Sequence, residues 1–147
     1  MAEEKMLDVD LGRIVLRDGV EQQYIVLVER NGKRGLPIVI GINEALEIHR
    51  VVHGIEPERP LTHQLAYSAI RALGAHLKQV DIVDLRKNTF YAHLVLQNDE
   101  HEELTVVDAR PSDAIALALR ARCPIRVAES VLAQGRASED GDEEDEA

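Results

Sequence analysis

One order of elements occurs twice in this chain, and the repetition constrains the fold more than any other feature. An apolar run from Val9 to Leu16 reads as a strand, Arg17-Asp18-Gly19 as a hairpin turn, and Tyr24 to Glu29 as the return strand. Asn31-Gly32-Lys33-Arg34-Gly35 turns the chain again and Leu36 to Ile40 gives a third strand. A helix follows from about Glu44 to His53, with Asn43 as its expected N-cap and Gly54 as its stop. In the second half Leu85-Arg86-Lys87-Asn88 corresponds to Leu16-Arg17-Asp18-Gly19, Tyr91 to Tyr24, and Asp113-Ala114 to Glu44-Ala45. Both halves run strand, turn, strand, turn, strand, helix. Between them a further helix is expected from about His63 to Ala75, capped by Thr62, with Leu65, Ala66, Ala69, Ile70 and Leu73 on its apolar stripe. A short strand from Ile125 to Val127 and a helical turn from Glu129 to Ala133 complete the folded part. The reading is an α+β fold: a single domain of two pseudo-repeats of strand-strand-strand-helix with an extra helix between them. Gly12, Gly19, Gly32, Gly35 and Gly41 are read as turn glycines.

Residues 1–6 read as an N-terminal extension, 7–134 as the domain and 135–147 as a disordered acidic tail. From Ala137 onward there are seven acids (Glu139, Asp140, Asp142, Glu143, Glu144, Asp145 and Glu146) and no base. Setting these seven aside reduces the net charge from −10 to −3, so no bulk basic field draws nucleic acid to the domain. Aromatic residues make up 3% of the chain, too few for a base-stacking platform. Any phosphate binding therefore depends on where individual arginines sit. The single cysteine, Cys123, excludes an intrachain disulfide and fits a reducing cytoplasm. No signal peptide and no apolar run of membrane-spanning length is visible, so no membrane partner is expected.

Chemistry concentrates where a strand feeds a helix, at Asp108-Ala109-Arg110-Pro111-Ser112-Asp113. Ser112 suits an N-cap, Asp113 suits the first turn, and the helix start offers free N–H groups to an anion. One reading is purely local: Ser112 caps, Asp113 complements the dipole and Arg110 bridges to Asp108. The other is a phosphate site with Arg110 as a bidentate partner and Asp108 or Asp113 as metal ligand or base. Arg59-Pro60-Leu61-Thr62-His63 is a second polar turn ahead of a helix, and both Arg-Pro pairs hold their arginine extended. His63 could act there as general acid, base or ligand. His49 and His53 lie four apart on one predicted helix face, but no Glu follows His49 and the zinc-protease motif is absent. Gly-rich phosphate loops are also absent.

These segments, together with Leu36-Pro37-Ile38-Val39-Ile40-Gly41, Thr89-Phe90-Tyr91-Ala92 and the run Asp108 to Ala118, resemble the bifunctional nuclease domain family over about Leu7 to Leu132. The resemblance implies an α+β domain, a homo-oligomer, and a nuclease that cuts the phosphodiester bonds of RNA or DNA. The resemblance carries over positions and no roles: Arg59, Thr62, His63, Asp108, Arg110, Ser112 and Asp113. Taken with the two Arg-Pro turns at helix starts, the reading makes His63, Asp108 and Asp113 catalytic and Arg59, Arg110, Thr62 and Ser112 phosphate-binding. Asp108 and Asp113 are the expected ligands of a divalent cation, Mg²⁺ or Mn²⁺. Where the family often has an acid after the histidine, this chain has Gln64, and Asn88 stands where it often has a glycine. The alternative is a non-enzymatic oligomeric binding or regulatory module whose Asp/Arg cluster is structural.

Overall fold

A computed structural model describes the backbone of residues 4–142 and the side chains as far as residue 135. Seven strands form one mixed sheet: β1 (Met6–Val15), β2 (Gln22–Glu29), β3 (Gly35–Gly41), β4 (Ala75–Arg86), β5 (Thr89–Asn98), β6 (Leu104–Ala109) and β7 (Ile125–Ala128). The helices are α1 (Ile42–Val52), α2 (Thr62–Ala72), α3 (Pro111–Ala121) and α4 (Glu129–Asp142). The fold is α+β, as expected. The strand order is β3-β2-β1-β7-β4-β5-β6, which places the last strand in the middle, antiparallel to β1 and parallel to β4.

Turn chemistry explains the hairpins. Gly19 holds φ at 73°, and Lys87 and Asn88 hold φ at 51° and 64°, so the β4–β5 connection has the two positive-φ residues of a tight hairpin turn. Gln23 is fully buried, and its amide bonds the backbone of Arg17 and Val20, which ties the β1–β2 turn to its own strand. Gly12 is not a turn glycine. It lies inside β1 where the pairing with β2 shifts register, and a Cβ there would stand 2.8 Å from the Val28 side chain.

Cross-strand register sets which side chains share a face. Ile38 pairs Ile25, Val9 pairs Ile125, Ile125 pairs Val80, Val80 pairs Leu94, and Leu94 pairs Val107. The core lies on this face. Ala45 and Ile48 of α1, Ala114 to Ala118 of α3, and Val131 and Leu132 of α4 are buried against it, and Tyr67 of α2 packs at its margin. Strand side chains alternate, so Val39, Arg126, Asp81, His93, Val106 and Asp108 project from the opposite face.

Helix boundaries differ from the sequence reading for a local reason. Helices α1, α2 and α3 each start at or before the residue expected to cap them. The N-caps are Gly41, Leu61 and Arg110, none with a side-chain capping bond. Asn43, Thr62 and Ser112 therefore already lie in the first helical turn, where they no longer have the extended backbone of a cap. Pro111 accounts for the third case: it occupies the first helical position, where its missing N–H costs nothing, and pushes Ser112 inward. The helix after β7 runs to Asp142, past the single turn expected and past Gly135, where the acidic tail was placed; residues 143–147 lie outside those described.

Candidate functional site

Two separate bends of the backbone meet. Arg110, held at φ −71° and ψ 147° ahead of Pro111, extends from the end of β6. Asp113 follows in the first turn of α3, and His63 stands in the first turn of α2. The Nε2 atom of His63 is 2.8 Å from Oδ1 of Asp113. Arg110 donates from Nε to Oδ2 of Asp113 at 2.9 Å and from one terminal nitrogen to Oε1 of Glu44 at 2.6 Å. Four side chains from the starts of three helices thus form one connected cluster.

An ionised carboxylate only accepts hydrogen bonds, so the His63 Nε2 donates to Asp113, and Nδ1 has no partner among the described residues. The hydrogen bond from His63, and after it those from Arg110, hold the Asp113 carboxyl below the usual aspartate range despite the opposing effect of burial. Asp113 and Glu44 together raise the Arg110 guanidinium further above its already high value. Arg110 is 66% exposed, whereas His63 is 16% exposed. The histidine is positioned, and the guanidinium reaches into solvent.

The remaining expected site residues are placed differently. Asp108 precedes Ala109, which packs against the core, so Asp108 projects from the other face of the sheet, opposite His93. It makes no hydrogen bond or ion pair among the described residues, and the expected Asp108–Arg110 bridge does not form; Arg110 turns to the helix side instead. Asp108 and Asp113 therefore do not fit a shared Mg²⁺ or Mn²⁺, since they face away from one another and both oxygens of Asp113 are already engaged. Among the described residues no group of three or more His, Cys, Asp or Glu side chains is placed to hold a metal ion. Ser112 is 5% exposed and faces inward, not toward an anion. Thr62 is exposed beside His63, and Arg59 is exposed in the turn leading to it, with no hydrogen bond or ion pair among the described residues. Gln64 accepts from the Leu61 N–H at 3.1 Å and donates to Glu56 at 3.1 Å, so it braces the turn and brings a carboxylate into it.

Glu44 is the site residue that the sequence reading did not select. A signal for it was present: Glu44-Ala45 aligns with Asp113-Ala114 in the repeated order, and both acids close on Arg110. Gly41 leaves the space for it, since a Cβ there would stand 2.8 Å from the Glu44 carboxylate. Further along the same two helices a second cluster surrounds a buried carboxylate. Glu47, 1% exposed, accepts from Arg120 at 2.9 Å and from Arg50 at 3.1 Å. Burial pushes its carboxyl up, but the two arginines outweigh this and hold it below the usual range. Cys123 is pushed up to about 11 by burial, which makes it an unreactive thiol. The rings of His49 and His53 lie 4.3 Å apart, tilted by 52°.

The bifunctional nuclease domain profile matches residues 25–140, which include the whole cluster. An uncharacterized protein of Mycobacterium tuberculosis is 50% identical over 113 residues, covering 77% of this chain and 66% of its own length. Bifunctional nuclease 1 of Oryza sativa subsp. japonica is 29% identical over 114 residues, covering 76% of this chain and 34% of its own. Bifunctional nuclease 2 of the same rice is 26% identical over 121 residues, 82% of this chain and 37% of its own. The chain thus spans just under two thirds of the mycobacterial relative and about a third of the rice proteins. Among the described residues no helix is long and apolar enough to cross a membrane. With the profile covering most of its length and every helix start that builds the cluster, the chain belongs to the bifunctional nuclease domain family.

Proposed function

We propose that this chain is a phosphodiesterase-type nuclease acting on RNA or DNA, with His63 as general acid or base and Arg110 as the phosphate contact. One observation carries the reading: imidazole, carboxylate and exposed guanidinium converge from two distant helix starts. Asp113 orients His63, and Nδ1 exchanges the proton with water or the leaving oxygen. The guanidinium of Arg110 retains a terminal nitrogen outside its pairs with Asp113 and Glu44, and this nitrogen meets a phosphate oxygen. Arg59 and Thr62 add donors from the neighbouring turn. The names of the rice relatives support the substrate class. The reading routes no step through Asp108 or a metal bound to it. It sets the protein in the cytoplasm, which the single cysteine fits, and in a homo-oligomer, as the family resemblance implies.

Purified protein should cleave labelled RNA or DNA in the presence of EDTA. His63→Ala should lose about 10²–10⁴-fold in rate, the range for a general acid–base group. Equal cleavage by that variant would remove the reading, and loss of all activity in EDTA would restore a metal, Mg²⁺ or Mn²⁺, to the centre. The second reading, a non-enzymatic module with a structural cluster, draws on the pairing of Arg110 with two carboxylates. It requires no cleavage of either nucleic acid and a sharp fall in thermal stability on Arg110→Ala.

A further inference from the structure

The two edges of the sheet are unlike. The β3 edge carries Pro37, which has no N–H to offer a neighbour, and α1 and α4 pack against that strand. The β6 edge has neither protection. It pairs with β5 in unbroken register and contains no proline, lysine or bulge. Beyond that ladder, Leu104–Ala109 make no backbone hydrogen bond among the described residues. Leu104 is 48% exposed and Val106 56%. An unblunted apolar edge with a row of free N–H and C=O groups is a template for another strand.

Charge brackets this apolar stretch. Strand alternation puts Leu104, Val106 and Asp108 on one face, the face turned from the helices. Asp108 closes the row at one end and makes no hydrogen bond or ion pair among the described residues. At the other end, where β5 turns into β6, lies a cavity of about 340 Å³ whose walls include His76, Gln97, Glu100 and Glu102. Asp99 in the same wall is already taken, by Arg71 at 3.0 Å and by His76 at 2.7 Å. The carboxylates of Glu100 and Glu102 are exposed and have no partner among the described residues. From Glu102 through Leu104 and Val106 to Asp108, every second residue thus reads acid, apolar, apolar, acid.

We propose that β6 accepts an extended segment of another protein as an added strand, one with a basic residue at each end and two apolar residues between them at alternate positions. In strand addition the main-chain bonds supply affinity and the side chains on one face choose the sequence. The apolar pair covers Leu104 and Val106, one Lys or Arg enters the cavity beside Glu100 and Glu102, and the other meets Asp108. Opposite charges at both ends fix the register, because a slip of one residue turns both bases to the other face. A second copy of this chain does not fit the edge. It would bring Glu102, Glu103 and Asp108 against the same acids, and Arg110, which follows the strand, is already turned to Asp113 and Glu44. The net charge of −10 steers a basic segment toward the chain.

The probe is a fluorescent heptapeptide with lysine at each end, valine two places in from each end, and threonine between. It should bind the full chain by anisotropy and slow amide exchange in β6 but not in β3. A peptide with glutamate at both ends should bind at least about tenfold more weakly, and salt should weaken the lysine-ended one. The double variant Glu102→Lys with Asp108→Lys should reverse the preference and take the glutamate-ended peptide. Val106→Lys should bind at least about tenfold more weakly, its fold checked by thermal melting. Should either variant fail to fold, exchange protection in the unaltered chain decides. No binding of the lysine-ended peptide would overturn the inference, as would equal binding of the two peptides or protection at β3 and not β6. So would a folded double variant with unreversed preference, or a dimer that Val106→Lys splits, which gives the edge to a second copy. His63→Ala should bind the peptide as the unaltered chain does, so this result stands apart from the cleavage assay.

Discussion

Helices α1 and α3 meet through ion pairs at two levels, and the levels do different work with the same chemical groups. At the inner one Glu47 is sealed between Arg120 and Arg50. At the outer one Glu44 and Asp113 hold Arg110, whose side chain is mostly in water. Charges removed from solvent interact strongly and tolerate no loss of a partner, because the group left behind has neither water nor counter-charge. Charges at the surface are screened, contribute little to stability, and remain available to a ligand. The inner cluster therefore fixes how the helices sit, and the outer one, placed by that docking, is free to act.

Four measurements would break or sharpen this contrast. The largest effect should come from Glu47→Gln, which takes the buried counter-charge from two partly buried arginines and should cost about 3–5 kcal/mol in urea unfolding; a loss under about 1 kcal/mol would erase the distinction between the levels. Asp113→Asn should reverse the pattern. It should keep stability within about 1 kcal/mol at neutral pH, while cleavage falls by about 10²–10⁴-fold as His63 loses the acceptor that orients it. Acid should separate the two further. Glu47 and Asp113 both have folded values below their unfolded ones, so each contributes its stability in full above about pH 4.5 and loses it as pH falls through the lowered folded value. Melting temperature followed from pH 7 to pH 3 should show a shallower acid limb in Glu47→Gln, with a smaller flattening in Asp113→Asn. The smallest effect should be that of Arg110→Ala on stability, below about 1 kcal/mol and fading in high salt. A large, salt-insensitive loss there would favour the structural reading of the outer cluster.

Much of the architecture was legible because local chemistry and periodicity agree. The Asp18-Gly19 and Lys87-Asn88 turns and the apolar strands each fall where residue type alone puts them. The meeting of His63 with Asp113 was open to inference, since two Arg-Pro turns ahead of helices suggested a shared anion site. Three features were not legible. Asp108 looked like a neighbour of Asp113 along the chain, but strand alternation turns it to the far face of the sheet. Ser112 and Thr62 looked like caps, but a helix that begins one or two residues sooner changes a capping hydroxyl into an interior or lateral one. Glu47 looked like one more charge on a helix face. Only the docking of α1 on α3, a contact distant in sequence, seals it between Arg50 and Arg120.

The placement of β7 has a consequence for how the chain reaches this state. Strands β1 and β4 never touch as ladder neighbours; Ile125–Ala128 stands between them and bonds to both. During synthesis the two three-stranded meanders can form early from local hairpins, but they stay separate until more than a hundred residues have emerged and the four-residue wedge arrives. Until then each meander shows an unpaired margin to the crowded interior of the cell, so the interval before Ile125 clears the ribosome is the period in which misassembly is most probable.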